Sequence, residues 1–171
     1  YVITVCGINY IIKIIYHICR AKLDKSAVKL HFSEEFDKNM IDNFDYVINA
    51  TYSNLNALSD KKKIYQFELC EKPIIKLPKK FHKKGIIVMD GPFTCIDPYS
   101  DTDYHVIGNV VHAIHHTNVG EFPEIPADYN KLLNKGVIKN PEITKWDKFL
   151  ETANTFFNEI NGLEHIGSMF T

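Results

Sequence analysis

The 171-residue chain predicts an α+β fold, a mixed, mainly antiparallel sheet with C-terminal helices. Three observations carry that prediction. Through the middle of the chain, apolar residues alternate with polar ones in short runs broken by Gly, Pro and Asp, which is the period of half-buried strands. From Ile143 to Ile160 the apolar spacing becomes helical. No segment repeats, and no low-complexity linker divides the chain.

In chain order, the first long apolar segment is NYIIKIIYHIC, residues 9–19. Ile11, Ile14, Ile15 and Ile18 have helical spacing, while the dense β-branched content favours a strand. The polar turn RAKLDKS and then AVKLHFS, where Val28, Leu30 and Phe32 alternate with polar residues, make a hairpin the preferred reading. A charged connection, residues 34–45, leads into a strand YVINA, residues 46–50, and a turn over residues 51–63.

The next strand is IYQFELCEKPIIKLP, residues 64–78. Tyr65, Phe67 and Leu69 alternate with Gln66, Glu68 and Cys70, so one face is buried and the other wetter. Pro73 and Pro78 each lack a ladder donor, and the strand is expected to bend or lie at an edge there. GIIVMDG is a short apolar strand stopped by the turn Asp90-Gly91-Pro92. FTCIDPY and YHVIGNVVHAIHH flank SDTD as a hairpin.

The last third is helical. A short helix carries Tyr129, Leu132 and Leu133 on one face and stops at Gly136. A second starts at Asn140 as cap, with Pro141 at its first position and Glu142 in its first turn, and ends at Asn161-Gly162. HIGSMFT opens a final strand. Because core-like residues stand at both ends, the chain reads as a fragment.

Bulk properties narrow the function classes. The net charge of −1 supplies no excess to draw the chain to nucleic acid or an anionic membrane. Asn9, Lys13 and His17 interrupt the apolar opening, which argues against a membrane span. Cys6, Cys19, Cys70 and Cys95 form no CxxC pair, so a reduced, cytoplasmic protein is expected, and the sequon at Asn49 is incidental. No glycine-rich phosphate loop and no G-x-S-x-G elbow occur.

Local chemistry offers few candidates. His112, His115 and His116 would share a face on a helix, but on the strand that their neighbours favour His115 points away from the other two, and no metal site is expected. Asp90 and Asp97 precede Gly-Pro and Pro, where Asp makes turns without catalysis. In DYVINATYSN, residues 45–54, a strand ends in small and polar residues. Ala50 would let a ligand approach the backbone, and Thr51 offers a hydroxyl and an N–H, although an ordinary strand exit explains the same residues.

Taken in order, DYVINATYSN, YQFELCEKPIIKLP, GIIVMDGPFTCIDPY, YHVIGNVVHAIHH and the closing helix with HIGSMFT resemble the middle of an FAD-dependent oxidoreductase of the D-amino-acid oxidase and glycine oxidase type. The resemblance covers most of residues 26–171. In that family a strand ending Asn-Ala-Thr-Gly returns the chain to the flavin-binding domain, and an antiparallel sheet then covers the flavin ring and builds the substrate cavity.

The resemblance implies FAD as cofactor and a small amine, amino acid or hydroxy acid as substrate. It implies that Asn49, Ala50 and Thr51 lie beside the nucleotide part of FAD, and that Tyr104, His112 or His115 face the substrate. It divides the chain into residues 1–60, a partial return into the flavin-binding domain, and 61–171, the flavin-covering domain of a two-domain flavoprotein. Tyr52 departs from the family by standing where Gly is usual. The alternative from another class is a non-catalytic α+β binding domain that does not hold FAD.

Overall fold

The computed structural model describes residues 2–6, 8–88, 93–100, 102–157 and 162–171, and for residues 2–6 and 8–13 the backbone only. Seven strands form one sheet: β1 (Val2–Cys6), β2 (Tyr65–Lys76), β3 (Lys84–Val88), β4 (Thr94–Pro98), β5 (Tyr104–Asn109), β6 (Ile114–Gly120) and β7 (Glu164–Phe170). Every ladder among the described residues is antiparallel, as the alternation predicts. The helices are α1 (Ile8–Asp24), α2 (Ala127–Asn130) and α3 (Trp146–Phe156).

The twelve-residue β2 organises the sheet. Along one side it pairs with β5 through residues 74–76 and with β6 through residues 65–70. Along the other it pairs with β7 through residues 71–76. Two bonds at the centre fix these sides: Glu71 N–H donates to the Ala113 carbonyl, whereas Cys70 exchanges bonds with Thr171. Neighbouring residues of a strand aim their amides in opposite directions. Thus β5 and β6 are one lane, interrupted at residues 110–113.

That interruption corrects the reading of residues 104–116 as one strand, and it also places Pro73. Of the two expectations for Pro73, the edge fails, since Pro73 is fully buried in the middle of β2, whereas the ladder with β7 does shift register beside it, between Ile74 and Ile75. By alternation its donorless nitrogen points, like Glu71 N, toward the break between β5 and β6, where no ladder acceptor is left waiting. Pro78 stands beyond the strand and leads a short 3₁₀ turn, Lys79–Phe81.

The larger core cluster lies between the sheet and α3. Phe149 and Ala153, a helical turn apart on α3, are fully buried against Ile75, Ile86, Ile96 and Ile107. Burying a phenylalanine contributes about 2–3 kcal/mol before entropy is counted. A second cluster joins Leu69, Leu132 and Phe170, with Ile125 and Ile138 packed beside it.

The first third of the chain differs from the expected hairpin. Residues 8–24 are one helix: the three- and four-residue spacing of the isoleucines overrides their β-branching once the turn-by-turn hydrogen bonds form. Arg20 and Asp24 pair across one turn of it. Residues 27–33 and 46–50 pair with no strand among the described residues, so neither AVKLHFS nor YVINA is a strand. A strand cannot persist without a ladder partner for its amides.

The two predicted C-terminal helices are shorter than their sequence signals. The first spans four residues and ends before Gly136, whose φ of +68° serves a later turn. The second begins at Trp146 rather than Pro141, because Thr144 and the Lys145 amide are held by a buried carboxylate described below. The predicted stop at Asn161 and the Asp90-Gly91-Pro92 turn lie outside the described residues. No helix among the described residues is long and apolar enough to cross a membrane.

Candidate functional site

Two features stand out, a buried polar knot and an open cleft. The knot centres on Glu71, which period two places on the same face of β2 as Leu69. Its carboxylate is wholly buried and accepts four hydrogen bonds. One oxygen takes the Thr144 hydroxyl at 2.5 Å and the Ser168 hydroxyl at 2.6 Å. The other takes His115 Nε2 at 2.8 Å and the Lys145 amide at 2.7 Å. With Nε2–H donating to Glu71, His115 Nδ1 is left to accept from the Tyr129 hydroxyl at 3.1 Å.

Burial pushes the Glu71 carboxyl up, but the bonds from His115, Lys145, Ser168 and Thr144 together outweigh it and hold the group below its ordinary value. The first turn of α3 adds its own favourable partial charge. The knot ties β2, β6, β7, α2 and α3 at one point. It contains Ser, His and Glu, yet Ser168 is fully buried and the His115 side chain is 2% exposed, so no substrate reaches them. Its chemistry is that of a positioning anchor.

The cleft has a volume of about 780 Å³, within the range of small-ligand sites. Its walls are the 3₁₀ turn Tyr52–Leu58 on one side and the first half of β2 on the other. Asn56, almost fully buried, pins that turn: its amide donates to the carbonyls of Lys63 and Glu121, each at 2.7 Å, and accepts from the Lys63 N–H at 3.0 Å. The cleft's lining carries two carboxylates, Glu68 and Glu124, and no lysine or arginine.

Asn49, Ala50 and Thr51 lie on the chain just before this wall. Asn49 closes a local turn, accepting from the Thr51 hydroxyl at 2.8 Å and donating to the Leu55 carbonyl at 2.7 Å. Ala50 and Thr51 are exposed. Tyr52, next in the chain, has a φ of +55° and is 84% exposed.

The residues expected to face a substrate are not brought together. Tyr104 lies half-buried on β5. His112 sits in the β5–β6 break, 3.2 Å from the Thr152 hydroxyl and edge-on to Phe149. His115 belongs to the knot. His116, weighed from the sequence only as one of three histidines that a helix would bring together for a metal, is the histidine that lines the cleft, together with Tyr65, Phe67 and Phe170. Among the described residues no group of His, Cys, Asp and Glu is arranged to hold a metal ion.

Sequence reasoning also missed Glu71 and Asn56. The phase of β2 holds the one signal for Glu71, a charged residue at a position where the alternation demands an apolar one. Comparison of the chain with models of known families, with characterised proteins and with solved structures returned no match.

Proposed function

We propose that the chain is the substrate-binding, flavin-covering part of an FAD-dependent oxidoreductase of the D-amino-acid oxidase type, oxidising a small amine, amino acid or hydroxy acid by hydride transfer to flavin. The observation that carries this reading is the backbone of Tyr52. Its φ of +55° is the left-handed conformation that glycine takes freely and an aromatic residue rarely does. The site where the family has Gly therefore keeps a glycine-like backbone in this chain. The tyrosine ring is turned into solvent and leaves the backbone of the turn open.

The residues present fit the nucleotide part of FAD. Ala50 is small and exposed, and the Thr51 N–H makes only a long 3.3 Å bond to Asn49, which a phosphate or ribose oxygen can replace. When bound, FAD supplies the hydride acceptor. In this reading the chain's own part is to hold the nucleotide at residues 49–51 and to shield the ring with the sheet. Because His115 is spent on Glu71, Tyr104 and His112 remain as the substrate-facing candidates.

The test is flavin retention by a protein in which a glycine-rich dinucleotide-binding segment precedes this chain. Flavin absorbance surviving desalting, and a retained fraction that Thr51→Pro lowers at least about tenfold by removing the N–H, is the expected result. A colourless protein would sink the reading.

A further inference from the structure

The four donors on Glu71 differ in what stands behind them. The Lys145 amide ends at the backbone, and the Thr144 oxygen accepts from another amide, that of Trp146, at 3.0 Å. Ser168 and His115 each lead on to a further titratable side chain. His165 Nε2 lies 3.2 Å from the Ser168 hydroxyl, and the Tyr129 hydroxyl lies 3.1 Å from His115 Nδ1. One hydrogen-bonded line therefore runs His165–Ser168–Glu71–His115–Tyr129. Its three middle members are buried and its two ends are partly exposed.

The two apolar clusters flank the line. Trp146, on which His165 stacks, packs against the larger one and Tyr129 against the second. Ionised Glu71 can only accept, so the Ser168 hydroxyl donates to it, the Ser168 oxygen is left to accept, and His165 Nε2 carries a hydrogen. On the other arm the hydrogens also point inward, from Tyr129 to His115 and from His115 to Glu71. The links between Glu71 and the two ends are a hydroxyl and an imidazole, groups that both donate and accept.

We infer that the line is a proton relay, through which Glu71 gains and loses a proton while the chain stays folded, and that it makes the knot a reversible, acid-sensitive latch on α2 and the start of α3. Along the first arm, His165 binds a solvent proton at Nδ1. Its Nε2 hydrogen passes to Ser168 as the Ser168 hydrogen passes to Glu71. One proton has then been taken up, His165 is neutral again in its other tautomer, and each hydrogen bond of the arm persists with its direction reversed. Along the second arm, Tyr129 passes its hydrogen to His115 as His115 passes its own to Glu71, and water replaces the one that Tyr129 gave. Release retraces the same steps.

The charged groups nearby leave the line intact. The Lys145 ammonium donates to the Ile114 carbonyl, and burial opposes a charge on His165 while the carboxylates of Glu71 and Asp147 favour one. Hydrogen bonds to an ionised acceptor are about twice as strong as neutral ones, so a protonated Glu71 holds His115 and the Lys145 amide more weakly. Those two bonds tie α2, through Tyr129, and the start of α3 to β2. No step involves FAD, so the inference stands apart from the flavin reading.

The test is the ¹³C carboxyl signal of Glu71, followed as pH falls in the chain labelled at its glutamate side chains. One signal that moves smoothly while the amide spectrum stays folded is expected, with amide protection of residues 127–130 and 144–149 falling in step by at least about tenfold and that of β5 unchanged. Glu71→Gln, which imitates the protonated carboxyl, should show the lowered protection already at neutral pH. Ser168→Ala combined with Tyr129→Phe cuts both arms and should split the Glu71 signal in two, with exchange at least about tenfold slower. Three results overturn the inference: a Glu71 signal that changes only as the chain unfolds, exchange as fast in the double variant as in the unaltered chain, or equal slowing by Thr144→Val, which assigns the route to Thr144. Should the double variant not fold, the unaltered chain still decides, since a knot without a relay gives two slowly exchanging signals.

Discussion

Glu71 shows how one residue settles what several elements do. Its four partners are all donors, and two of them, Thr144 and Ser168, are hydroxyls that can turn to accept instead. Glu71→Gln can therefore keep its carbonyl on the Lys145 amide and offer its NH₂ to the hydroxyls, with a cost of about 1 kcal/mol. Glu71→Ala takes the common acceptor from four donors, of which Ser168 and His115 are buried, and should cost on the order of 3 kcal/mol or more. Urea unfolding of the two variants checks the order, and equal losses would contradict the hydrogen-bond account.

The same scale predicts the response to acid. His105 is almost wholly buried, with Nε2 3.2 Å from the Phe81 carbonyl and Nδ1 unpartnered among the described residues; burial, partly offset by that bond, holds its pKa below the ordinary 6.5. His165, stacked on Trp146 at 4.3 Å, is lowered for the same first reason. As pH falls below 6.5, the unfolded chain binds protons that the folded rings refuse, so stability declines. Below 4.5 the depressed Glu71 adds a second decline in the same direction. Melting temperature against pH should show both stages, and Glu71→Gln should remove much of the lower one.

At the scale of the element, one close approach holds a loop onto the sheet. A Cβ on Gly167 would stand 2.3 Å from the Ile138 carbonyl oxygen, where residue 138 bridges to Ser168 of β7. Gly167→Ala must break that bridge and should cost roughly 2–4 kcal/mol. Gly136, at φ +68° with open space around it, should lose only about 1 kcal/mol on the same change. Thermal unfolding of the pair separates backbone collision from left-handed strain.

Asn56→Ala should free the Tyr52–Leu58 turn from Glu121 while the sheet stays folded. Faster amide exchange over residues 52–63, with protection in β2 and β5 unchanged, is the expected signature. Loss of protection throughout would mean that the turn is part of the core.

Across the whole molecule, polar and apolar surface are unevenly shared. Phe149, Ile96 and Ile107 are fully buried under α3, whereas Tyr46 and Ile48 are 91% and 92% exposed and α1 leaves Ile14, Ile15 and Ile18 partly open. Exposed aromatic and aliphatic side chains favour self-association where they form a patch. Tyr46→Ser with Ile48→Ser should lower dye binding and self-association while the melting temperature stays within about 2 °C. A large loss of stability would show that these side chains belong to the core.

The middle of the sheet was legible in the sequence because β4, β5 and the first half of β2 bury alternate residues, so period two is written directly into the order of residues. The first third was not, because isoleucines at helical spacing satisfy both the helix and the strand signal, and the choice falls to backbone hydrogen bonding. Pro73 could not be placed from its own chemistry, since what makes it tolerable is a break in a neighbouring strand thirty-odd residues away in the chain.

By itself, then, the sequence determined the α+β class, the strand-forming middle and the apolar face of α3, all of which follow from local periodicity. Only the tertiary structure decided where α3 begins and which histidine meets the cleft. Each of these depends on partners brought from distant parts of the chain. A buried carboxylate takes whichever donors reach it, and those donors come from segments far apart in the chain.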